Sequence, residues 1–208
     1  MRVGLHVPSQ NGYEAAVAYA RAQGCDALQI FHGSPKTYRP GALSPQALEN
    51  FRELRGVAGI EPAVIHTSYL INLASADPKI VAGSLRLLKH DLAGAAIADV
   101  RYVNTHLGSY GTRPRSEGFA AVVAALGEAL EEIAPNVHLV LENSAGAGQL
   151  CGGTLDELGE FVRAVDHPQL GVCLDTAHLW AAGYEINSQE GVDYFLELAD
   201  KTISLERV

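Results

Sequence analysis

Cysteine, tryptophan and methionine are all scarce in this chain: three Cys, one Trp and one Met among 208 residues. Cys25, Cys151 and Cys173 are too few and too scattered for a disulfide framework. They suit a reducing cytoplasm, where free cysteine packs as a small apolar residue. Basic residues are also short, 15 Lys and Arg against 24 Asp and Glu, giving a formal net charge of −9. That balance excludes a protein that coats nucleic acid by bulk electrostatics, while leaving room for a locally basic groove. No apolar run reaches the roughly 18 residues of a membrane span. Met1-Arg2-Val3-Gly4-Leu5 enters a strand pattern directly, without the features of a signal peptide. No linker, charge block or low-complexity tract interrupts the chain, so residues 1–208 read as one domain. What remains is ordinary: 48% hydrophobic and 19% charged residues, enough for a buried core.

The repeating pattern is a strand-like run, a loop and a helix-like segment. Val3–Val7, Asp26–Phe31, Pro62–His66, Arg101–His106, Val137–Glu142 and Leu170–Asp175 read as strands. Helices are expected over Tyr13–Gln23, from Ser44-Pro45, and over Pro78–Ala98, Ser116–Ile133, Thr154 to about Val165, and Ser188–Asp200. Ser44 suits an N-cap followed by proline in the first turn, and Thr154-Leu155-Asp156-Glu157 has capping-box form. Ile203–Val208 reads as a seventh strand beginning. Alternation of this kind implies parallel βαβ units and an α/β protein. Six units at this spacing fit a TIM-type (β/α)₈ barrel with about six of its eight units present. A doubly wound sheet would need a glycine-rich turn after its first strand, and His6-Val7-Pro8-Ser9-Gln10-Asn11-Gly12 is not one.

The strand ends carry the chemistry. The third to sixth strands end at His66, His106, Glu142 and Asp175, with His178 just beyond. In a parallel barrel these ends share one rim, the rim on which such enzymes build active sites. A lone strand-end histidine is more often a satisfied polar group than a ligand. Four consecutive strands ending in His, His, Glu and Asp are better explained by a metal, and this donor set without cysteine suits Zn²⁺ or Mn²⁺. His6 is a candidate supporting group at the first strand. His32, His90, His138 and His167 have weaker claims, and Trp180 and Tyr184 read equally well as packing.

Four segments also resemble a known family. His66-Thr67-Ser68-Tyr69-Leu70-Ile71-Asn72-Leu73-Ala74-Ser75, Asn104-Thr105-His106-Leu107-Gly108-Ser109, Leu141-Glu142-Asn143-Ser144-Ala145-Gly146 and Cys173-to-Tyr184 look like successive signatures of endonuclease IV. These are zinc-dependent apurinic/apyrimidinic endonucleases of DNA base-excision repair, built on a (β/α)₈ barrel. The resemblance implies His66 and His106 as ligands of one zinc, with Glu142 bridging to a second that Asp175 also binds. His178 would hold a third, and Glu142, as the catalytic residue, would orient a metal-activated hydroxide. That hydroxide would attack the phosphate 5′ to the abasic sugar and leave a 3′-hydroxyl. Tyr69 and Leu70 would press on double-stranded DNA at the lesion, with Lys36 and Tyr38 contacting it from the second-strand loop. Arg39, Arg113 and Arg115 are further basic candidates. The wording Phe31-His32-Gly33-Ser34-Pro35 departs from the family pattern. The resemblance implies a cytoplasmic enzyme, monomeric at the family's full length.

The family continues past this point with a strand ending in His-Leu-Asn-Asp, an Asp-x-His element and a last strand ending in Glu. Lys201–Val208 stops before them. The expectation is therefore a C-terminally truncated relative. Its first zinc site would be complete, its second and third would lack ligands, its sheet edges would be unpaired, and its nuclease activity would be weak or absent. Two other readings compete: a metal-dependent sugar isomerase or epimerase on a related barrel, and a catalytically dead DNA- or metal-binding remnant.

Overall fold

A computed structural model describes residues 1–41 and 43–208. Its strands are short: β1 (Gly4–His6), β2 (Ala27–Phe31), β3 (Ala63–His66), β4 (Tyr102–Thr105), β5 (His138–Glu142) and β6 (Leu170–Cys173). The helices between and after them are α1 (Tyr13–Ala22), α2 (Pro45–Ala58), α3 (Pro78–Ala98), α4 (Arg115–Leu130), α5 (Leu155–Val165), α6 (Thr176–Ala181) and α7 (Gln189–Ile203). The six strands form one parallel sheet in the order β1-β2-β3-β4-β5-β6, each pairing with its neighbour along the chain. This is a TIM-type arrangement that is not closed: among the described residues β6 does not pair back to β1.

Alternation sorts the side chains. Leu28, Ile30, Ala63, Ile65, Val103, Leu139, Leu141 and Val172 face the helices and are fully buried with Phe51, Leu88, Leu126 and Phe161. Residues of the opposite parity, among them Phe31, His66, Asn104 and Glu142, line the concave face. The register pairs Phe31 with His66 and His66 with Asn104, which brings successive strand ends side by side.

Helix starts follow their caps. Ser44 accepts from Ala47 N, Asp77 from Lys79 N, Thr154 from Glu157 N and Ser188 from Gly191 N, each satisfying a backbone donor that the helix leaves free. The capping box at Thr154 is only half made. The Glu157 carboxylate turns outward to accept from Tyr110 Oη, Arg115 Nε and Gly152 N instead.

The expected seventh strand over Ile203–Val208 is not formed. Helix α7 runs to Ile203, Ser204 turns the backbone at a φ of 63°, and Leu205–Arg207 is a 3₁₀ turn. Arg207 Nη1 donates to the carbonyls of His167 and Leu170, which holds the segment against the start of β6 rather than alongside it. Strand β6 also ends at Cys173, two residues before the expected Asp175, because Asp175 is the N-cap of the short helix α6.

Candidate metal centre

Glu142 is the hub. It closes β5 with only 6% of its surface exposed, and its neighbours are three imidazoles. His66 Nε2 lies 3.3 Å from Glu142 Oε2, His106 Nε2 3.6 Å from Oε1, and His178 Nδ1 3.3 Å from Oε1. Asn104, one strand over, donates from Nδ2 to Oε2. Burial pushes the Glu142 carboxyl up, but His66, His106 and Asn104 outweigh it, leaving the group below the usual carboxylate range. Burial lowers His106; Glu142 pulls it back up, but with His66 and His178 also lowering it the ring stays below its ordinary value. The site therefore favours an ionised carboxylate beside a neutral imidazole, the protonation states that metal binding requires.

The donors fall into two overlapping triples. His66, His106 and Glu142 bring ligand atoms within 4.8 Å of one another, and so do Glu142, Asp175 and His178. Hydrogen bonds hold His66, Asp175 and His178 in place. His66 Nδ1 lies 2.7 Å from the Thr67 carbonyl, leaving Nε2 toward Glu142. His178 Nδ1 lies 2.9 Å from the Asn143 carbonyl, and a proton assigned to that nitrogen leaves Nε2 as the lone pair. Asn143 grips Asp175 twice: its Oδ1 accepts from Asp175 N at 2.6 Å, and its Nδ2 donates to the Asp175 carbonyl at 3.1 Å. Asp175 Oδ1 meanwhile accepts from His178 N at 2.8 Å as the α6 cap. A buried carboxylate ringed by histidines and fixed by amides, with no lysine or arginine paired to it among the described residues, fits one or more divalent cations.

The loops around this group are tied together. Tyr69 is 61% exposed at the rim. Its ring packs edge-on to Phe31 and tilted against His66. Tyr38 donates from its hydroxyl to the Leu70 carbonyl at 2.5 Å and rests its ring against Gly83 of α3. The loop after β2 is thus anchored to the loop after β3. Asn72 joins the latter to the loop after β4 by accepting from Ser109 N, a close approach that Gly108 permits at a φ of 94°. A cleft of about 760 Å³ opens beside the triples, lined in part by His6, Phe31, Lys36 and Tyr69. His6 stacks on His66 with ring centroids 5.8 Å apart. Lys36 and Arg39 are exposed. Arg113 instead donates to the Ser75 carbonyl, and Arg115 pairs with Glu157 and Glu160. Tyr184 accepts from Leu155 N, a packing role, while Trp180 is exposed.

A family model described as a xylose isomerase-like TIM barrel matches residues 17–206. A protein of Natranaerobius thermophilus named "Probable endonuclease 4" is 37% identical, the match covering 100% of this chain and 74% of the relative. "Endonuclease 4" of Thermus thermophilus is 40% identical, covering 100% and 73%. The crystal structure of endonuclease IV from that species superposes with a TM-score of 0.86 at 38% identity, over 100% of this chain and 74% of the other. The chain belongs to the endonuclease IV family. A D-tagatose 3-epimerase-like protein also superposes, with a TM-score of 0.74 at 22% identity, a likeness of fold alone. Endonuclease IV relatives therefore share this chain's sequence throughout, whereas the epimerase-like protein shares only its architecture.

The structure brings His66, His106, Glu142, Asp175 and His178 into one group. Asn104 and Asn143 complete the site without being strand-end donors themselves. Asn104 shares the concave face with His106 by strand period, and Asn143 follows Glu142 at a strand end, where asparagine has no intrinsic preference. Those two positions were the available signal.

Proposed function

We propose that this chain is a metal-dependent DNA-repair endonuclease that hydrolyses the phosphodiester bond 5′ to an abasic site and leaves a 3′-hydroxyl. The observation that most supports this is the convergence of His66, His106 and His178 on the buried Glu142, in a chain whose endonuclease 4 relatives match it end to end. In this reading His66, His106 and Glu142 hold one Zn²⁺, Glu142 and Asp175 hold a second, and His178 holds a third through Nε2. Mn²⁺ is the alternative metal. When bound, such cations lower the pKa of water toward about 7 and offset phosphodiester charge.

The chain's own groups do the rest. Glu142, kept ionised by its neighbours, orients the attacking water through Oε1 while Oε2 stays engaged by Asn104. Tyr69 and Leu70 fill the space left by the missing base, and Tyr38 sets Leu70 through its carbonyl. Lys36 and Arg39 meet the phosphate backbone locally, as an acidic protein requires of its DNA-binding face. Extruding a nucleotide without a base costs little stacking energy, which favours the lesion over intact duplex.

The test is a duplex carrying one abasic-site analogue, incubated with the Zn²⁺-loaded protein, with chelator, and after metal is restored. The expected result is slow nicking 5′ to the lesion with a 3′-hydroxyl, abolished by chelator and recovered with metal. Epimerisation of a ketose with the duplex left intact would overturn the reading.

A further inference from the structure

A second cluster of metal-ligating side chains lies apart from Glu142. Strand alternation puts Phe31 on the concave face and turns His32, the next residue, toward the helices. There it meets α3. His32, His90 and Asp91 bring one ligand atom each within 4.8 Å of one another. The His32 ring stacks on that of His90 with centroids 4.8 Å apart, and it occupies a notch on α3 that exists because residue 94 is glycine: a Cβ there would lie 2.6 Å from His32 Nε2.

The hydrogen bonds around the cluster face outward. His32 Nδ1 is bonded to Tyr13 Oη at 2.7 Å, and His90 Nε2 to the Gly41 carbonyl at 2.9 Å. Both imidazoles thus have their outer nitrogen held by an oxygen, and with the proton assigned to that nitrogen the inner one is free to bind a metal. Their inner nitrogens are left for each other and for Asp91. His32 Nε2 is buried without a hydrogen-bond partner. His90 Nδ1 lies 3.5 Å from Asp91 Oδ1, close to the roughly 3.3 Å edge of a tetrahedron built on Zn–N bonds of about 2.0 Å. Asp91 is 5% exposed and has no arginine or lysine partner among the described residues. A crevice of about 10 Å³ beside His90 and Asp91, which His32 does not line, is roughly the size of one water.

We propose that His32, His90 and Asp91 form a further divalent-cation site, independent of the Glu142 centre, taking Zn²⁺ with water as its fourth ligand. Two imidazoles and a carboxylate without thiolate suit zinc, and a cation satisfies the orphaned His32 nitrogen and the buried Asp91 carboxylate together. A bound cation offsets the cost of burying the Asp91 carboxylate. Tying the loop after β2 to the middle of α3, the site steadies the segment that carries Lys36 and Tyr38.

The experiment strips the full chain with chelator, reloads it with Zn²⁺ or Co²⁺, and reads metal equivalents by mass spectrometry and the visible Co²⁺ band. Wild type is compared with His90→Gln, His32→Gln and Glu142→Gln, circular dichroism confirming that each is folded. The expected outcome is the loss of one equivalent in His90→Gln and His32→Gln, with affinity there weakened more than about 100-fold. Glu142→Gln should retain that equivalent, so failure of the nuclease centre to bind metal is read separately. Gly94→Ala, which crowds His32 Nε2 while leaving all three side chains in place, should lose the same equivalent. A metal count and Co²⁺ spectrum unchanged in folded His90→Gln and His32→Gln would overturn the proposal and leave the three residues as a hydrogen-bonded cluster only.

Discussion

Asn143 fastens Asp175 to β5 by a reciprocal pair of hydrogen bonds, so the direction of the Asp175 carboxylate depends on a residue that need not touch a metal. Asn143→Ala should weaken metal binding about 10- to 100-fold while the chain stays folded, measured by competition with a chromophoric chelator. Glu142→Gln goes further, because it removes the charge shared by both triples. Abasic-duplex cleavage should fall about 10²- to 10³-fold, the equivalent of several kcal/mol at about 1.4 kcal/mol per decade. Cys151 makes a different kind of prediction. It is 1% exposed, and burial pushes its thiol up to about 12, so it should resist iodoacetamide at neutral pH in the native protein and react once denatured. Peptide mass spectrometry reads the difference.

At the level of elements, Arg55 joins α2 to the end of α3. It is fully buried, donates from Nη2 to the Ala98 carbonyl at 2.8 Å and from Nη1 to Glu61 Oε1 at 2.5 Å, and lies over the Phe51 ring. Arg55→Lys cannot reproduce that fork and should cost about 2–3 kcal/mol, read as a lower midpoint in denaturant unfolding. Nothing in the local sequence pattern announces the role of Arg55, whose partner is 43 residues away. Where the cause is local, the elements were legible. Helix α3 begins and ends where its Asp77-Pro78 start and Ala-rich run indicate, and five of the strand ends fall within a residue of their pattern. Helix α6 was missed because a six-residue helix shows no apolar period and its cap, Asp175, already read as a ligand. The tail was missed for the opposite reason. Ile203 and Leu205 alternate like a strand, but the Ser204 turn and the Arg207 anchors decide the path of the segment. The strand-end donors were legible because topology alone gathers them on one rim; their amide supports were not, since a partner on the next strand leaves no mark in spacing.

Across the whole molecule, the parallel sheet has β1 and β6 at its margins, each with one neighbouring strand among the described residues. Val3 and Leu5 are 59% and 46% exposed on and beside β1, and open edges bearing apolar side chains invite pairing between chains. Sedimentation should show concentration-dependent association, and Leu5→Lys should reduce it by placing a charge on that edge. The strand order carries a consequence for how the molecule is made. Because each strand pairs with the one before it in the chain, the sheet can grow in the direction of synthesis, without waiting for a distant partner. The triple of His66, His106 and Glu142 needs only β3, β4 and β5. If the proposed site holds its cation there, a nascent chain would chelate it while Asp175 and His178 are still unfolded, and the cation would then favour the completed strands over their unravelling.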